Sequence, residues 1–337
     1  MRTPMLKGSE RPRLHLLTSF ANTNGGSENR TLELHAHLQP HAEVLLWSDD
    51  PPDPGFSGYP INVVHPYRGE FPHGGTLVIL GPHTRIGQWL QHAGIARTIV
   101  VANLHPYHYL FDLLEALHHN GIDAPEIVYA SDMLRREIGL PGTVEASPID
   151  LSLFVPAASH EERPFTLGRL SRDQPFKHHP KDPHLYKMLA AEGCRVRIMG
   201  GTLLHGVLGD EPGIELLKEG AAPAPDFLRG LDCFFYRTAE QWCEPSGRVV
   251  FEAMACGLPV VCGRRGGYAE NIRHGVNGFL VDTQEEAYDI LMTLRRDKSL
   301  RQEVGLAARQ SVEAIYNDAY WRETLRYYAG SLPGSPP

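Results

Sequence analysis

The chain is short of positive charge: its 337 residues carry 32 Lys and Arg against 40 Asp and Glu, a formal net charge of −8 at pH 7. Broad nucleic-acid binding needs a basic footprint that displaces counterions from phosphates, so no nucleic-acid partner is expected. A local basic pocket for a small anion stays open. Long hydrophobic runs are missing too. No apolar stretch approaches the roughly 18 residues that cross a bilayer, and the opening MRTPMLKGSERPRLHLL lacks the apolar core of a signal peptide, so a cytoplasmic protein is expected. The five cysteines, Cys194, Cys233, Cys243, Cys256 and Cys262, form no C-x-x-C pair, which disfavours a disulfide framework or a zinc site and makes them small buried hydrophobes. Among the 18 histidines the doublets His118-His119 and His178-His179 lack the i, i+4 spacing and neighbouring acid of a zinc enzyme. They read as solvated surface, and no metal is expected.

What is present is a globular composition, 42% hydrophobic and 21% charged, long enough for two domains. Short apolar runs alternate with helical periodicity along the chain, the pattern of parallel sheets covered by helices, so the class is α/β. Strands are expected over 13–20, 42–48, 61–65, 76–81, 98–104 and 126–131, and again over 165–171, 194–201, 213–220, 232–237, 258–264 and 278–281. Helices are expected over 27–39 and over 109–121, where Gly121 closes the C-terminus. The aperiodic, proline-bearing stretch 146–164 reads as a linker. The expected domains are 1–156 and 157–315, each Rossmann-like, followed by a helical segment 316–337 that ends in a frayed tail. Thr283 is expected to cap the first C-terminal helix.

Four loops carry candidate chemistry. In CEPSGRVVFEAMACGLPVV (243–261), the periodicity from Val249 to Cys256, with Gly257 following, describes a helix that starts at Ser246-Gly247. Glu244 then lies in the loop before the helix and Glu252 inside it. Eight helical positions rotate by about 80° off register, so the two carboxylates reach one site only if the loop folds over the helix start. A helix start suits a phosphate, and carboxylates beside it accept bonds from sugar hydroxyls. The plainer alternative makes Glu244 a surface acid and Glu252 a solvent-facing one, although Glu252 interrupts an apolar face. In LGRLSRDQPFKHHPKD (167–182), Arg169, Arg172 and Lys177 follow a strand, where open sheets bind ligands; an arginine there holds two phosphate oxygens and a lysine adds a point charge. In SFANTNGGSENR (19–30), Gly25 and Gly26 let the backbone approach a ligand or make a plain turn. The G-x-G-x-x-G spacing and a ribose acid after the second strand are not found, so dinucleotide binding has weak support. GRRGGYAENIRHGVNGFLV (263–281) repeats the strand, glycine-loop and helix theme, with Glu270 in the helix.

Taken together, these motifs resemble the retaining glycosyltransferases of family 4, most specifically over 230–282. That resemblance implies the GT-B fold: two Rossmann-like parallel-sheet domains facing across a cleft, with a C-terminal helix crossing back to the first. It implies that Glu244 touches donor-sugar hydroxyls and Glu252 the nucleotide ribose. Arg169 and Lys177 would clamp the diphosphate, with Arg172, Ser246, Gly247 and Arg248 beside it and Gly25 and Gly26 in the first domain. His105, with His108 as its rival, would line the reaction centre. The implied function is metal-independent, retaining transfer of a sugar from a nucleoside-diphosphate sugar to a hydroxyl of a saccharide, lipid-linked or small-molecule acceptor, as in polysaccharide biosynthesis, with no cofactor. In that account the leaving phosphate takes the acceptor proton, and Glu244 positions the donor without forming a covalent intermediate. A nucleotide-sugar epimerase and a catalytically silent nucleotide-sugar-binding protein of the same fold are the alternatives. The helix over 109–121 contains no Lys or Arg, so at most peripheral membrane contact is expected, through Arg2, Lys7, Arg11 and Arg13.

Overall fold

The computed structural model describes residues 11–158 and 163–330. Arg2 and Lys7, residues 159–162 of the expected linker and the tail beyond Gly330 lie outside the described residues.

The chain divides into two compact units: residues 129–317 form one, and the residues before them group with those from Asp318 onward. The first sheet is built from β1 (Arg13–Thr18), β2 (Glu43–Ser48), β3 (Ile61–Val63), β4 (Thr76–Leu80), β5 (Arg97–Ala102), β6 (Glu126–Tyr129) and β7 (Thr143–Val144), in the order β3-β2-β1-β4-β5-β6-β7. Pairing is parallel from β3 through β5. The second sheet contains β8 (Thr166–Leu170), β9 (Arg195–Met199), β10 (Ile214–Leu217), β11 (Cys233–Tyr236), β12 (Val260–Gly263) and β13 (Phe279–Val281), in the order β10-β9-β8-β11-β12-β13, all parallel. Strands such as Thr166–Leu170 and Cys233–Tyr236 are buried along their whole length, because helices cover both faces of a parallel sheet and no residue alternates out to water.

Each strand order reverses once, between β1 and β4 and between β8 and β11. In open α/β sheets such a switch point leaves a crevice at the carboxyl ends of the strands, because the flanking crossovers run to opposite sides.

The expected helices form at Gly26–Leu38 and His108–His119, and Gly121 takes the left-handed φ of +84° that ends the second. Beyond β13 the described residues form three helices, Gln284–Arg296, Lys298–Ile315 and Asp318–Ala329. Thr283 caps the first: its Oγ1 accepts from the Glu286 N–H at 3.1 Å and the Glu286 carboxylate reaches back, a capping box. The last belongs to the first unit. Leu325, Tyr328 and Ala329 join Leu14, Leu16 and Leu34 in its core, and Arg97 donates to the Tyr327 carbonyl while its guanidinium lies 4.8 Å from the Tyr327 ring. The second unit has its own core, formed by Leu167, Val196, Phe235, Val261, Leu291 and their neighbours. Among the described residues no helix is long and apolar enough to cross a membrane.

Candidate functional site

The crevice between β8 and β11 collects the charged residues of the second unit. β8 runs into a loop that ends in a short 3-10 turn, Pro175–Lys177, and β11 runs into the loop that carries Trp242 and Glu244. Lys177 Nζ and Glu244 Oε2 meet there at 2.5 Å, with side chains 9% and 13% exposed. Two more donors converge on the same oxygen, the Tyr236 hydroxyl at 2.9 Å and Trp242 Nε1 at 3.4 Å. Glu244 Oε1 accepts no hydrogen bond among the described residues. The carboxylate is therefore held by one oxygen and offers the other. Burial opposes its ionisation, but the Lys177 charge and the three donors outweigh burial and hold Glu244 below the usual carboxylate value. Burial also draws the Lys177 ammonium down, opposed by Glu244. Phe176 and Trp242 stack with centroids 4.2 Å apart, and the ammonium lies 5.9 and 5.2 Å from their rings, an arrangement that favours the cation. Burial and the Glu244 charge push Tyr236 well above its ordinary value, so it stays a donor.

Arg169 lies beneath this corner and not in it. It is fully buried on β8; its Nη1 donates to the Arg237 carbonyl at 3.1 Å and its Nη2 to the Lys177 carbonyl. Its guanidinium sits 5.2 Å from the Tyr236 ring. Arg237 is held in turn by Asp182, whose Oδ1 accepts from Arg237 Nε at 2.9 Å. Burial raises the Asp182 carboxyl to about 6 despite Arg237, and raises Tyr186 beside it to about 12. A buried polar layer thus fixes the backbone that carries Lys177. Arg172, three residues after Arg169, is half-buried, and its guanidinium has no hydrogen-bond or ion-pair partner among the described residues.

The helix expected from Ser246-Gly247 runs Arg248–Ala255 with Gly247 as its N-cap. Gly247 is left-handed, φ +73°, and a Cβ there would stand 2.3 Å from Tyr268 Cδ1, so the turn needs glycine twice over. Glu252 is buried and accepts from Arg248 Nε at 2.6 Å, while Arg248 Nη1 reaches the Pro148 carbonyl at 3.0 Å. Ser246 Oγ is 3.5 Å from Ser147 Oγ. The Gly266-Gly267 loop packs against this turn: the Gly267 N–H donates to the Glu244 carbonyl at 2.9 Å, and a Cβ at Gly267 would collide with the Pro245 carbonyl at 2.2 Å. Glu270 accepts from the backbone N–H of Asp132 at 3.1 Å and from that of Met133, which ties the helix Asp132–Ile138 to the loop. An open pocket of about 410 Å³ adjoins, lined by Met133, Cys243, Arg265, Gly266 and Glu270 among others.

In the first unit Gly25 is the N-cap of the helix Gly26–Leu38, and the Gly26 Cα faces open space. The Glu28 carboxylate lies against Gly25. His105 is half-buried after β5, edge-on to Tyr107 with ring centroids 4.8 Å apart, and the His105-Pro106 peptide is cis. His108 is exposed at the start of its helix and lies over Tyr109.

One expectation fails, at the second histidine doublet. His178 and His179 are not solvated: both are buried, because the Gly200-Gly201 turn after β9 comes close enough for His178 Nε2 to bond the Gly200 carbonyl at 2.9 Å. Burial, then the Arg169 charge, lowers His178 to about 4. His118 and His119 are exposed as expected. Asp49, which carries no expected role, stands one residue beyond β2. The run EVLLWS followed by Asp-Asp was the signal for it. For Tyr236 and Trp242 the apolar setting hid the polar tips that hold Glu244. All five cysteines are free and buried.

Comparison with known proteins follows the same lines. Residues 220–311 match the family model described as Glycosyl transferases group 1. The chain is 27% identical over 238 residues to the D-inositol 3-phosphate glycosyltransferase of Kribbella flavida, covering 61% of this chain and 54% of that protein. It is 31% identical over 219 residues to the enzyme of the same name from Salinispora arenicola, covering 54% and 46%. The chain thus spans about half the length of these relatives. Among solved structures, Anabaena Alr3699/HepE in complex with UDP and glucose superposes with a TM-score of 0.74 at 17% identity, over 96% of this chain and 100% of that one. WaaG, a glycosyltransferase involved in lipopolysaccharide biosynthesis, superposes with a TM-score of 0.68 at 12% identity, over 94% and 100%. The chain has the GT-B fold, and its second unit carries the Glycosyl transferases group 1 signature across the loop and helix that hold Glu244 and Glu252.

Proposed function

We propose that the protein is a retaining, metal-independent glycosyltransferase of family 4 that moves a sugar from a nucleoside-diphosphate sugar to an acceptor hydroxyl. The observation that carries this reading is the Glu244 carboxylate, pinned through Oε2 by Lys177, Tyr236 and Trp242 with Oε1 unused. A carboxylate oxygen fixed in this way is a preorganised acceptor for a sugar hydroxyl, and the three donors keep it ionised at neutral pH. Glu252 takes the ribose hydroxyls by giving up its bond to Arg248. The diphosphate lies along the start of the helix Arg248–Ala255, where backbone N–H groups point outward, and Arg172 and Lys177 supply the counter-charge. Arg169 acts through Lys177, whose carbonyl it holds.

The bond from the anomeric carbon to the leaving phosphate oxygen breaks, and the acceptor oxygen bonds to that carbon from the same face. The acceptor proton passes to the departing phosphate. Negative charge grows on the diphosphate during this step, and preorganised donors are worth about 10²- to 10³-fold each at such a centre. Cationic side chains and a helix start already meet that charge, so the scheme needs no metal. UDP and glucose in the Anabaena structure support a uridine nucleotide as the first donor to try. By the family resemblance the first unit takes the acceptor, His105 lines its site, and the reaction belongs in the cytoplasm. The test is product analysis with UDP-glucose and a panel of saccharide acceptors: UDP release matched by an α-linked glycoside is expected, and a β-linked product, or sugar epimerised without any acceptor, would refute the retaining-transferase reading.

A further inference from the structure

The first unit has a switch-point crevice of its own, at the carboxyl ends of β1 and β4; the donor reading uses only Gly25 and Gly26 of it and leaves the carboxylates beside them unassigned. Asp49 stands in it. Ser19 Oγ, just after β1, and the backbone N–H of Arg85, beyond β4, both donate to Asp49 Oδ2, at 3.3 and 2.7 Å. The Asp49 side chain is 4% exposed, and its Oδ1 has no hydrogen-bond partner among the described residues. The Arg85 guanidinium does not supply one: it is engaged with Asp50, and its Nε stands 3.8 Å from Oδ2. A buried carboxylate oxygen left without a donor is costly, and a ligand hydroxyl removes that cost.

The other side of the crevice is the start of the helix Gly26–Leu38. Such a terminus ordinarily attracts phosphate. Here Glu28, buried in the first turn, takes that place with its own carboxylate. Its Oε1 accepts from the Asn22 N–H at 3.3 Å, and a Cβ at Gly25 would lie 2.0 Å from Oε2. Beside it the Asn103 side-chain amide donates to Ser27 Oγ at 3.1 Å, leaving neutral polar groups at the rim. The crevice therefore presents two carboxylates where a phosphate site would present N–H groups.

We infer that this crevice reads an uncharged, polyhydroxylated acceptor: Asp49 accepts hydrogen bonds from its hydroxyls, and Glu28 turns phosphate monoesters away. The inference rests on the glycosyltransferase reading and deepens it by naming the acceptor class and two specificity-determining residues. A hydrogen bond to a charged group is worth enough for about a tenfold change in affinity, and that sets the expected effects.

The test uses the full chain and ligand-observed NMR titrations of three matched pairs: myo-inositol and its 3-phosphate, methyl α-D-glucoside and glucose 6-phosphate, methyl α-D-mannoside and mannose 6-phosphate. At least one neutral polyol should bind, with its phosphate ester about tenfold weaker. Asp49→Asn should weaken the polyol about tenfold, and Glu28→Gln should bring the ester to within about threefold of its parent. Esters that bind as tightly as their parents, an Asp49→Asn protein that binds as wild type does, or no binding by any neutral polyol would each overturn the inference. Melting curves report whether Asp49→Asn is folded, and if it is not, Glu28→Gln decides. Thermal stabilisation by UDP-, GDP-, dTDP- and ADP-sugars, read on the same wild-type sample, separates the failures: stabilisation by any of them without polyol binding sinks only the acceptor reading, and its absence with all four sinks the donor reading.

Discussion

Replacing Lys177 by Met keeps the length and apolar stem of the side chain and removes its charge, which isolates the ion pair from the packing between Phe176 and Trp242. The pair is 2.5 Å long and almost wholly buried. Removing one member of such a pair leaves a buried carboxylate and costs about 3–5 kcal/mol. For a unit the size of residues 129–317 each kcal/mol moves Tm by about 2–4 °C, so a fall of about 6–20 °C is expected at pH 7.5. Tyr236 and Trp242 still donate to Glu244, which favours the lower half of that range. The pH dependence is more diagnostic than the size. In the wild type Glu244 is held below its ordinary value, so its contribution is present above the unfolded pKa and lost as pH falls through the folded one. Without Lys177, burial prevails and the folded pKa rises. The contribution is then present at low pH and lost as pH rises. The gap between wild type and Lys177→Met should therefore widen from about pH 5 to pH 8. Melting curves across that range decide the matter, and a Tm within about 1 °C of wild type, or a gap that does not change with pH, would refute the reasoning.

Other consequences are testable by simpler means. His178 titrates near 4 when folded against 6.5 as a free side chain, so the unfolded chain takes up the proton first on acidification. Stability should fall between pH 6.5 and 4 by about 3 kcal/mol through this residue, and urea unfolding of His178→Gln should show a flatter dependence there; an unchanged slope contradicts the burial argument. At Gly247 the left-handed backbone and the Tyr268 contact both oppose a Cβ, so Gly247→Ala should lose at least about 2 kcal/mol in urea. A neutral Gly247→Ala would mean that the turn before Arg248 is free to move.

Most of the fold is legible in the sequence because a parallel strand under two helical layers is apolar throughout: TLVIL and CFFY need no partner to be recognised. The two exposed residues of β7, Thr143–Val144, carry no such signal. Glu244 and Glu252 stand out because carboxylates in apolar surroundings are costly unless something holds them. What holds them is not legible. Lys177 and Glu244 lie on loops 67 residues apart and meet only because β8 and β11 are neighbours at the switch point. The burial of His178 depends in the same way on the Gly200 carbonyl, and that of Arg169 on two carbonyls that its strand position alone does not reveal.

The central claim is that the corner formed by Lys177, Glu244 and the start of the helix Arg248–Ala255 binds a nucleoside-diphosphate sugar. Thermal stabilisation by UDP-, GDP-, dTDP- and ADP-sugars, run on wild type and on Glu244→Gln, tests it most directly, since ligand at about 100 times its Kd adds about 2.7 kcal/mol to the native state. The account predicts a shift with one nucleotide class that Glu244→Gln weakens for the nucleotide sugar but keeps for the bare nucleoside diphosphate. No shift with any of the four, or a sugar-dependent shift that Glu244→Gln leaves unchanged, would contradict it.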